Sequence, residues 1–201
     1  IVWVAGCAQS SGKIYDPGSS NDPHVTMMGL LSASCTVADC PAGYNIIQGT
    51  QNDDNLTGTD GNDCILGFGG QDKIDGKKGN DFICGGPGDD ELRGGDGNDT
   101  VYGEQGQDKI YGENGDDALF GGDGDDYIEG GNGDDAADGG AGNDRMYGGN
   151  DNDNFSGGDG DDTIDGENGE DNLTGGGGHD TLYGGNGEDI LTGGPESDSL
   201  D

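Results

Sequence analysis

Residues 94–129 read GGDGNDTVY, GEQGQDKIY, GENGDDALF and GGDGDDYIE, four units of nine in one phase. Stepping outward by nines, the frame runs back to Gly49 and forward to Asp201 without an insertion, seventeen units over 153 residues. The first position is glycine in every unit, the eighth is apolar in every unit from Leu56 to Leu200, and the fourth is glycine except at Asn52, Asp151 and Glu196. The sixth position is always aspartate: Asp54, Asp63, Asp72, Asp81, Asp90, Asp99, Asp108, Asp117, Asp126, Asp135, Asp144, Asp153, Asp162, Asp171, Asp180, Asp189 and Asp198. Biased composition would cluster glycine and aspartate, but it would not hold three positions in phase across the whole array.

The unit reads as a six-residue turn followed by a three-residue strand, with the eighth residue pointing inward and its two neighbours outward, as strand alternation requires. Two units make one coil of eighteen residues. Glycine is needed in the turn because the backbone must visit positive φ and bring carbonyl oxygens toward a common centre. An aspartate and its counterpart eighteen residues on then lie one strand spacing, ~4.8 Å, apart. Two carboxylates that close repel unless a cation sits between them. Carboxylate and carbonyl oxygens in such a cage suit Ca²⁺ better than Mg²⁺, which gives up its waters reluctantly.

The pattern G-G-x-G-x-D-x-U-x resembles the RTX calcium-binding nonapeptide repeat family, and the resemblance covers residues 49–201. It implies an all-β fold: a right-handed parallel β-roll, that is, a calcium-stapled β-solenoid. It also implies that the seventeen sixth-position aspartates named above are the metal ligands, with turn carbonyls completing each site. Nine turns on one flank and eight on the other give roughly 15 inter-turn Ca²⁺ sites. A side chain at Asn52, Asp151 or Glu196 is expected to distort its turn.

Composition agrees with a cation-dependent fold. Of 201 residues, 48 are glycine and 27% are hydrophobic, too few for a layered core. The 43 acidic and 7 basic side chains give a formal charge of −36, which expands a chain by self-repulsion. Roughly 15 Ca²⁺ would bring it to about −6. The charge argues against nucleic acid and anionic membrane as partners, since both need Lys and Arg to neutralise phosphate. No apolar run approaches the ~18 residues needed to cross a bilayer.

Because successive units alternate between two faces, outward residues can be sorted from the sequence. One face carries Lys73, Asp75, Glu91, Arg93, Lys109, Tyr111, Glu129, Arg145 and Tyr147, a mixed-charge surface. The other begins with Cys64, Leu66, Phe82, Cys84, Tyr102, Ala118 and Phe120, then turns polar through Asp138, Asn154, Ser156, Asn172 and Thr174. An exposed apolar ladder on a solenoid calls for a cover, and the segment over residues 1–48 is the first candidate, another protein the second.

Residues 1–48 lie outside the repeat and are read as a small non-repetitive capping and assembly segment, since an open solenoid end exposes core and unpaired edges. They hold Trp3, Cys7, Cys35 and Cys40. Cys35 and Cys40 could close a short loop. Cys64 and Cys84 sit on neighbouring strands at a diagonal of roughly 8 Å, beyond the ~7 Å reach of a relaxed bridge, and cross-pairing between the two sets is the other arrangement. Cys7 is then the odd thiol, in a Val4-Ala5-Gly6-Cys7 stretch that resembles a lipobox and so offers a lipid anchor at Cys7. The apolar Ile1–Ala5 stretch could add a strand to a neighbouring molecule, and the array stops at Asp201 without a polar cap, an open end suited to head-to-tail stacking.

Catalysis is not expected: there is no H-E-x-x-H and no G-x-S-x-G, and the histidines are only His24 and His179. The expected function is a secreted, extracellular, bacterial calcium-binding structural protein that folds on Ca²⁺ and assembles with copies of itself into a filament or surface layer. A calcium-dependent secretion or folding module of a larger RTX protein is the alternative, and so is an adhesin module. Tyr111, Tyr147 and Tyr183 recur on one face, but Glu129 and Asp165 interrupt them as a saccharide platform.

Overall fold

The computed structural model describes residues 35–201. The chain winds so that alternate strands fall into two parallel nine-stranded sheets. Sheet A holds β1 (Asn45–Gln48), β3 (Asp63–Leu66), β5 (Phe82–Pro87), β7 (Thr100–Gln105), β9 (Ala118–Asp123), β11 (Ala136–Ala141), β13 (Asn154–Asp159), β15 (Asn172–Gly177) and β17 (Ile190–Thr192). Sheet B holds β2 (Asn55–Thr57), β4 (Lys73–Lys78), β6 (Glu91–Asp96), β8 (Lys109–Asn114), β10 (Tyr127–Asn132), β12 (Arg145–Asn150), β14 (Thr163–Asn168), β16 (Thr181–Tyr183) and β18 (Ser199–Leu200). Every pairing joins residues eighteen apart, as in Ile128 with Met146 and Ala137 with Phe155. The all-β, parallel, stacked-coil β-solenoid expected from the spacing is the observed fold.

Eighth-position side chains from both sheets meet in one continuous core from Ile65 to Leu182, fourteen residues each at most 3% exposed. Ile47, Leu56 and Leu191 in the end coils are only partly buried against it. The core is one side chain thick per strand, so neighbours must complement each other in volume. Ala137, the smallest member, lies in register with Phe155, the largest.

The strands are longer than the three residues expected. Most span six, running through positions seven to nine and on into one to three of the next unit. Pairing skips the first-position glycine, as at Gly130 and Gly148 between β10 and β12, and resumes at the second position. Stacked coils share one path, so the backbone can bond to its neighbour wherever its amides point along the stack, corners included. The sheet also begins before Gly49: β1 pairs in register with β3, and Gly43, Asn45 and Ile47 fall on the fourth, sixth and eighth positions of a further, degenerate unit over 40–48.

Two disulfides, Cys35–Cys84 and Cys40–Cys64, tie the segment before β1 to sheet A. Cross-pairing is therefore the arrangement formed, with Cα separations of 6.3 and 5.6 Å. Between the two bridges, Val37–Asp39 forms a 3-10 turn, and Thr36 and Asp39 bond reciprocally across its start. Its described part, residues 35–44, lies on the outward face of sheet A: Cys64, Leu66 and Cys84 are buried beneath it, with Tyr44, Phe68, Phe82 and Tyr102 packed around them. Trp3, Cys7 with its lipid-anchor reading, the Ile1–Ala5 stretch and His24 lie outside the described residues.

Candidate metal centre

Following the main-chain amides around one coil shows where the site comes from. First-position N–H groups donate to ninth-position carbonyls of the next coil, as from Gly67 to Cys84 at 2.8 Å. Fourth-position N–H groups donate to third-position carbonyls of the next coil, as from Gly97 to Asn114 at 2.8 Å. Seventh-position N–H groups donate to sixth-position carbonyls of the preceding coil, as from Tyr127 to Asp108 at 2.9 Å. At the fifth and sixth positions, in the tightest part of the turn, side-chain oxygens take over.

The sixth-position N–H donates to the carboxylate Oδ1 of the aspartate one coil ahead. Asp108 N–H reaches Asp126 Oδ1 at 2.8 Å, Asp126 N–H reaches Asp144 Oδ1 at 2.8 Å, and the series runs from Asp54 to Asp180. Each carboxylate is thereby pinned by one oxygen and keeps the other, Oδ2, for something else. In thirteen of them, Asp72 through Asp180, Oδ2 is buried and has no hydrogen-bond partner in the protein. Such an atom costs about 1 to 3 kcal/mol, and more when charged.

What faces Oδ2 is more oxygen. A methyl group built on the first-position Gly121 would overlap both Asp126 Oδ2 and the Gly139 carbonyl oxygen, and the same pair of atoms surrounds Gly67, Gly103, Gly139 and Gly148 in their own units. The second and fourth glycines approach carbonyls as well: Gly131 (φ 116) sits against Glu113 O, and Gly124 (φ 142) against Gly106 O. The turns therefore hold a repeated cradle of carboxylate and carbonyl oxygens, lone pairs inward and no donor among them. That donor set fits a hard divalent cation and specifically Ca²⁺, whose sites are built from six to eight such oxygens.

Electrostatics agree. Burial, with neighbouring carboxylates adding to it, pushes Asp90, Asp99 and Asp108 up to about 7 and Asp117, Asp126 and Asp153 to about 8, against the pull of the backbone N–H each accepts. The stack in this form therefore favours protons where a cation would otherwise sit.

The seventeen sixth-position aspartates are brought into two columns, but they are not equivalent. At the first two units Oδ2 is not orphaned: Thr50 and Thr59 donate to Asp54 and Asp63 through both N–H and hydroxyl. Asp189 and Asp198, in the last coil, are half-buried. Asp151 adopts φ 77 in the left-handed region, where the fourth-position Gly142 and Gly160 stand at φ 135 and 138, and Asp153 stays buried. Asn52 and Glu196, in the end coils, lack a positive φ.

The fifth position has a structural task as well. Its Asp or Asn side chain accepts the N–H of the fifth residue one coil ahead, as from Asn143 to Asp125 at 2.9 Å and from Asp161 to Asn143 at 2.9 Å. The signal was present in the sequence as the recurrence of Asp and Asn there. A short side chain reaches; the longer Gln71 and Gln107 do not accept from Asp89 and Asp125.

A family model, the RTX calcium-binding nonapeptide repeat, matches residues 48–83, 85–119, 111–146, 138–173, 147–182 and 165–200. The chain belongs to this family. Its RTX roll is a calcium-binding β-structure, which accounts for the columns of half-satisfied carboxylates. Comparison with curated protein sequences gives no match. Among the described residues no helix is long and apolar enough to cross a membrane.

Proposed function

We propose that this RTX chain is an extracellular scaffold whose folding is switched by calcium, with the sixth-position aspartates from Asp54 to Asp198 as side-chain ligands and roughly 15 ions at full occupancy. The observation that carries this reading is the set of thirteen buried, partnerless Oδ2 atoms facing carbonyl oxygens. Without a cation these groups oppose folding, and with one they become its main cross-links. Extracellular modules bind calcium at about 10⁻⁴ to 10⁻³ M, so such a chain stays unfolded at cytosolic calcium and folds after export. The two disulfides suit the same oxidising surroundings. The role is structural rather than catalytic. Calorimetric titration with calcium, followed by far-UV circular dichroism before and after chelation, tests it: β signal should appear with calcium and vanish with chelator. A spectrum indifferent to chelator refutes the reading.

The finer reading is self-assembly by end-to-end stacking. It draws support from the parallel, in-register stacking of identical-length coils, in which each strand pairs with the one eighteen residues along, a geometry that a second copy could continue. Electron microscopy with millimolar calcium should show filaments that disperse on chelation; single short rods at all concentrations exclude it.

A further inference from the structure

The outward face of sheet B is built in pairs. In each coil the seventh and ninth residues point out on either side of the inward eighth. From β4 to β16 the two complement each other: Lys73 with Asp75, Glu91 with Arg93, Lys109 with Tyr111, Tyr127 with Glu129, Arg145 with Tyr147, Thr163 with Asp165 and Thr181 with Tyr183. No coil carries two charges of one sign, and none of these residues is buried. Four are basic and four acidic, so the face is balanced on a chain of formal charge −36. Pairs form within the chain where reach allows: Arg93 donates to Glu91 at 2.9 Å and the Tyr127 hydroxyl to Glu129 at 3.1 Å. Glu129 separates Tyr111 from Tyr147 in the ninth-position column, and Tyr127 fills that gap with its ring centroid 5.7 Å from one and 5.5 Å from the other.

A face whose two columns complement each other also complements its own copy. A two-fold axis parallel to the stack, passing over the eighth residues, sets each seventh residue against the ninth residue of the same coil in the other chain. Lys73 then meets the partner's Asp75, Glu91 the partner's Arg93, and Tyr127 the partner's Glu129, each contact occurring twice by symmetry. Lys109 and Arg145, which form no ion pair among the described residues, meet the partner's Tyr111 and the partner's Tyr147, a cation on an aromatic ring in both cases. No like charges meet. Sliding one copy by a coil would set Lys73 against the partner's Arg93 and Asp75 against the partner's Glu91. Turning it end for end at full overlap would set Lys109 against the partner's Arg145 and Glu129 against the partner's Glu129.

We propose that sheet B docks on sheet B of a second copy, the two rolls side by side and pointing the same way. The like-charge contacts in the shifted and reversed arrangements select this register. Its nine strands at ~4.8 Å spacing make a face about 40 Å long and about 15 Å wide, roughly 600 Å² from each copy and at the small end for a specific pair. Pairing is therefore weak and sensitive to salt. The ion pairs already present within the chain are exposed, so exchanging them for contacts across the interface costs little. The proposal rests on calcium-driven folding, because the columns exist only in the roll, and it is independent of end-to-end stacking, which uses other surfaces.

The test is sedimentation velocity of the calcium-loaded chain from micromolar to millimolar concentration, at low and high salt. The parent should form dimers whose affinity falls as salt rises. Glu91→Arg and Arg93→Glu each create two like-charge contacts across the axis, and each alone should weaken self-pairing at least tenfold while calcium uptake and circular dichroism stay as in the parent. Mixed together, the two single variants should pair with each other about as tightly as the parent pairs with itself, and a chain carrying both substitutions should again pair with its own copy. A folded parent that stays monomeric at low salt, single variants that pair like the parent, or a mixture that does not pair overturns the proposal. A parent without a calcium-induced β signal refutes the calcium reading and this proposal with it, and the spectrum tells that failure from a failure of the face.

Discussion

Replacing Asp126 by asparagine should change sign with calcium. Asp126 is 3% exposed, with Oδ1 held by the Asp108 N–H at 2.8 Å and Oδ2 partnerless against the Gly139 carbonyl. Asparagine keeps an oxygen for Asp108 and places an N–H where Oδ2 faced a carbonyl, so the calcium-free coil loses a buried orphan and gains a donor. The lower bound on the gain is the cost of one unsatisfied buried polar atom, about 1 kcal/mol. The upper bound is the cost of holding a proton at pH 7 on a group raised from 3.8 to about 8, roughly 4 kcal/mol. With calcium present the variant has lost a charged ligand lying between two coils. Stoichiometry should therefore fall by one or two ions, and the calcium midpoint for folding should rise. The assay is a paired measurement: calorimetric calcium titration, and far-UV circular dichroism of the calcium-free chain under a stabilising osmolyte. Full calcium stoichiometry together with reduced calcium-free β content would refute the assignment of Oδ2 as an unmet ligand.

Acidification should partly replace calcium. The buried aspartates have their pKa raised by folding, so their contribution is most favourable below about 4, where both states are protonated, and is lost as pH rises through 6 to 8; circular dichroism in chelator should show β signal growing from pH 8 to pH 4. Gly124→Ala puts a methyl group at φ 142 against the Gly106 carbonyl and should cost at least 1 to 2 kcal/mol of calcium-loaded stability by denaturant titration. Gln107→Asn should shorten the side chain enough to accept the Asp125 N–H, completing the fifth-position column for a gain of about 0.5 to 1 kcal/mol; no gain would mean that solvent already satisfies that amide. Removing the Cys35–Cys84 bridge, which spans 49 residues, should cost about 4 kcal/mol by chain entropy and raise the calcium midpoint, whereas loss of β structure throughout would show that the bridge nucleates the roll.

Period and chemistry were legible in the residues because both are local and repeat. A nine-residue phase with an invariant eighth apolar position can bury that position only by stacking coils, so the two sheets, the core from Ile65 to Leu182 and the aspartate columns follow from the sequence alone. Calcium as the cation follows from the donor types. The tertiary structure decided whatever depends on lateral distance between columns or on direction along the stack. Cys35 pairs with Cys84 and Cys40 with Cys64 because residues 35–44 lie across the face of sheet A, and no spacing encodes that path. Sixth-position amides bond one coil ahead and fifth-position amides one coil back, a polarity invisible in a list of residues. Tyr127 closes the gap between Tyr111 and Tyr147 because residues sixteen or twenty apart meet on a diagonal. Within a column, neighbours are the residues eighteen apart; contacts between columns are set by side-chain reach and rotamer, which only the folded chain determines.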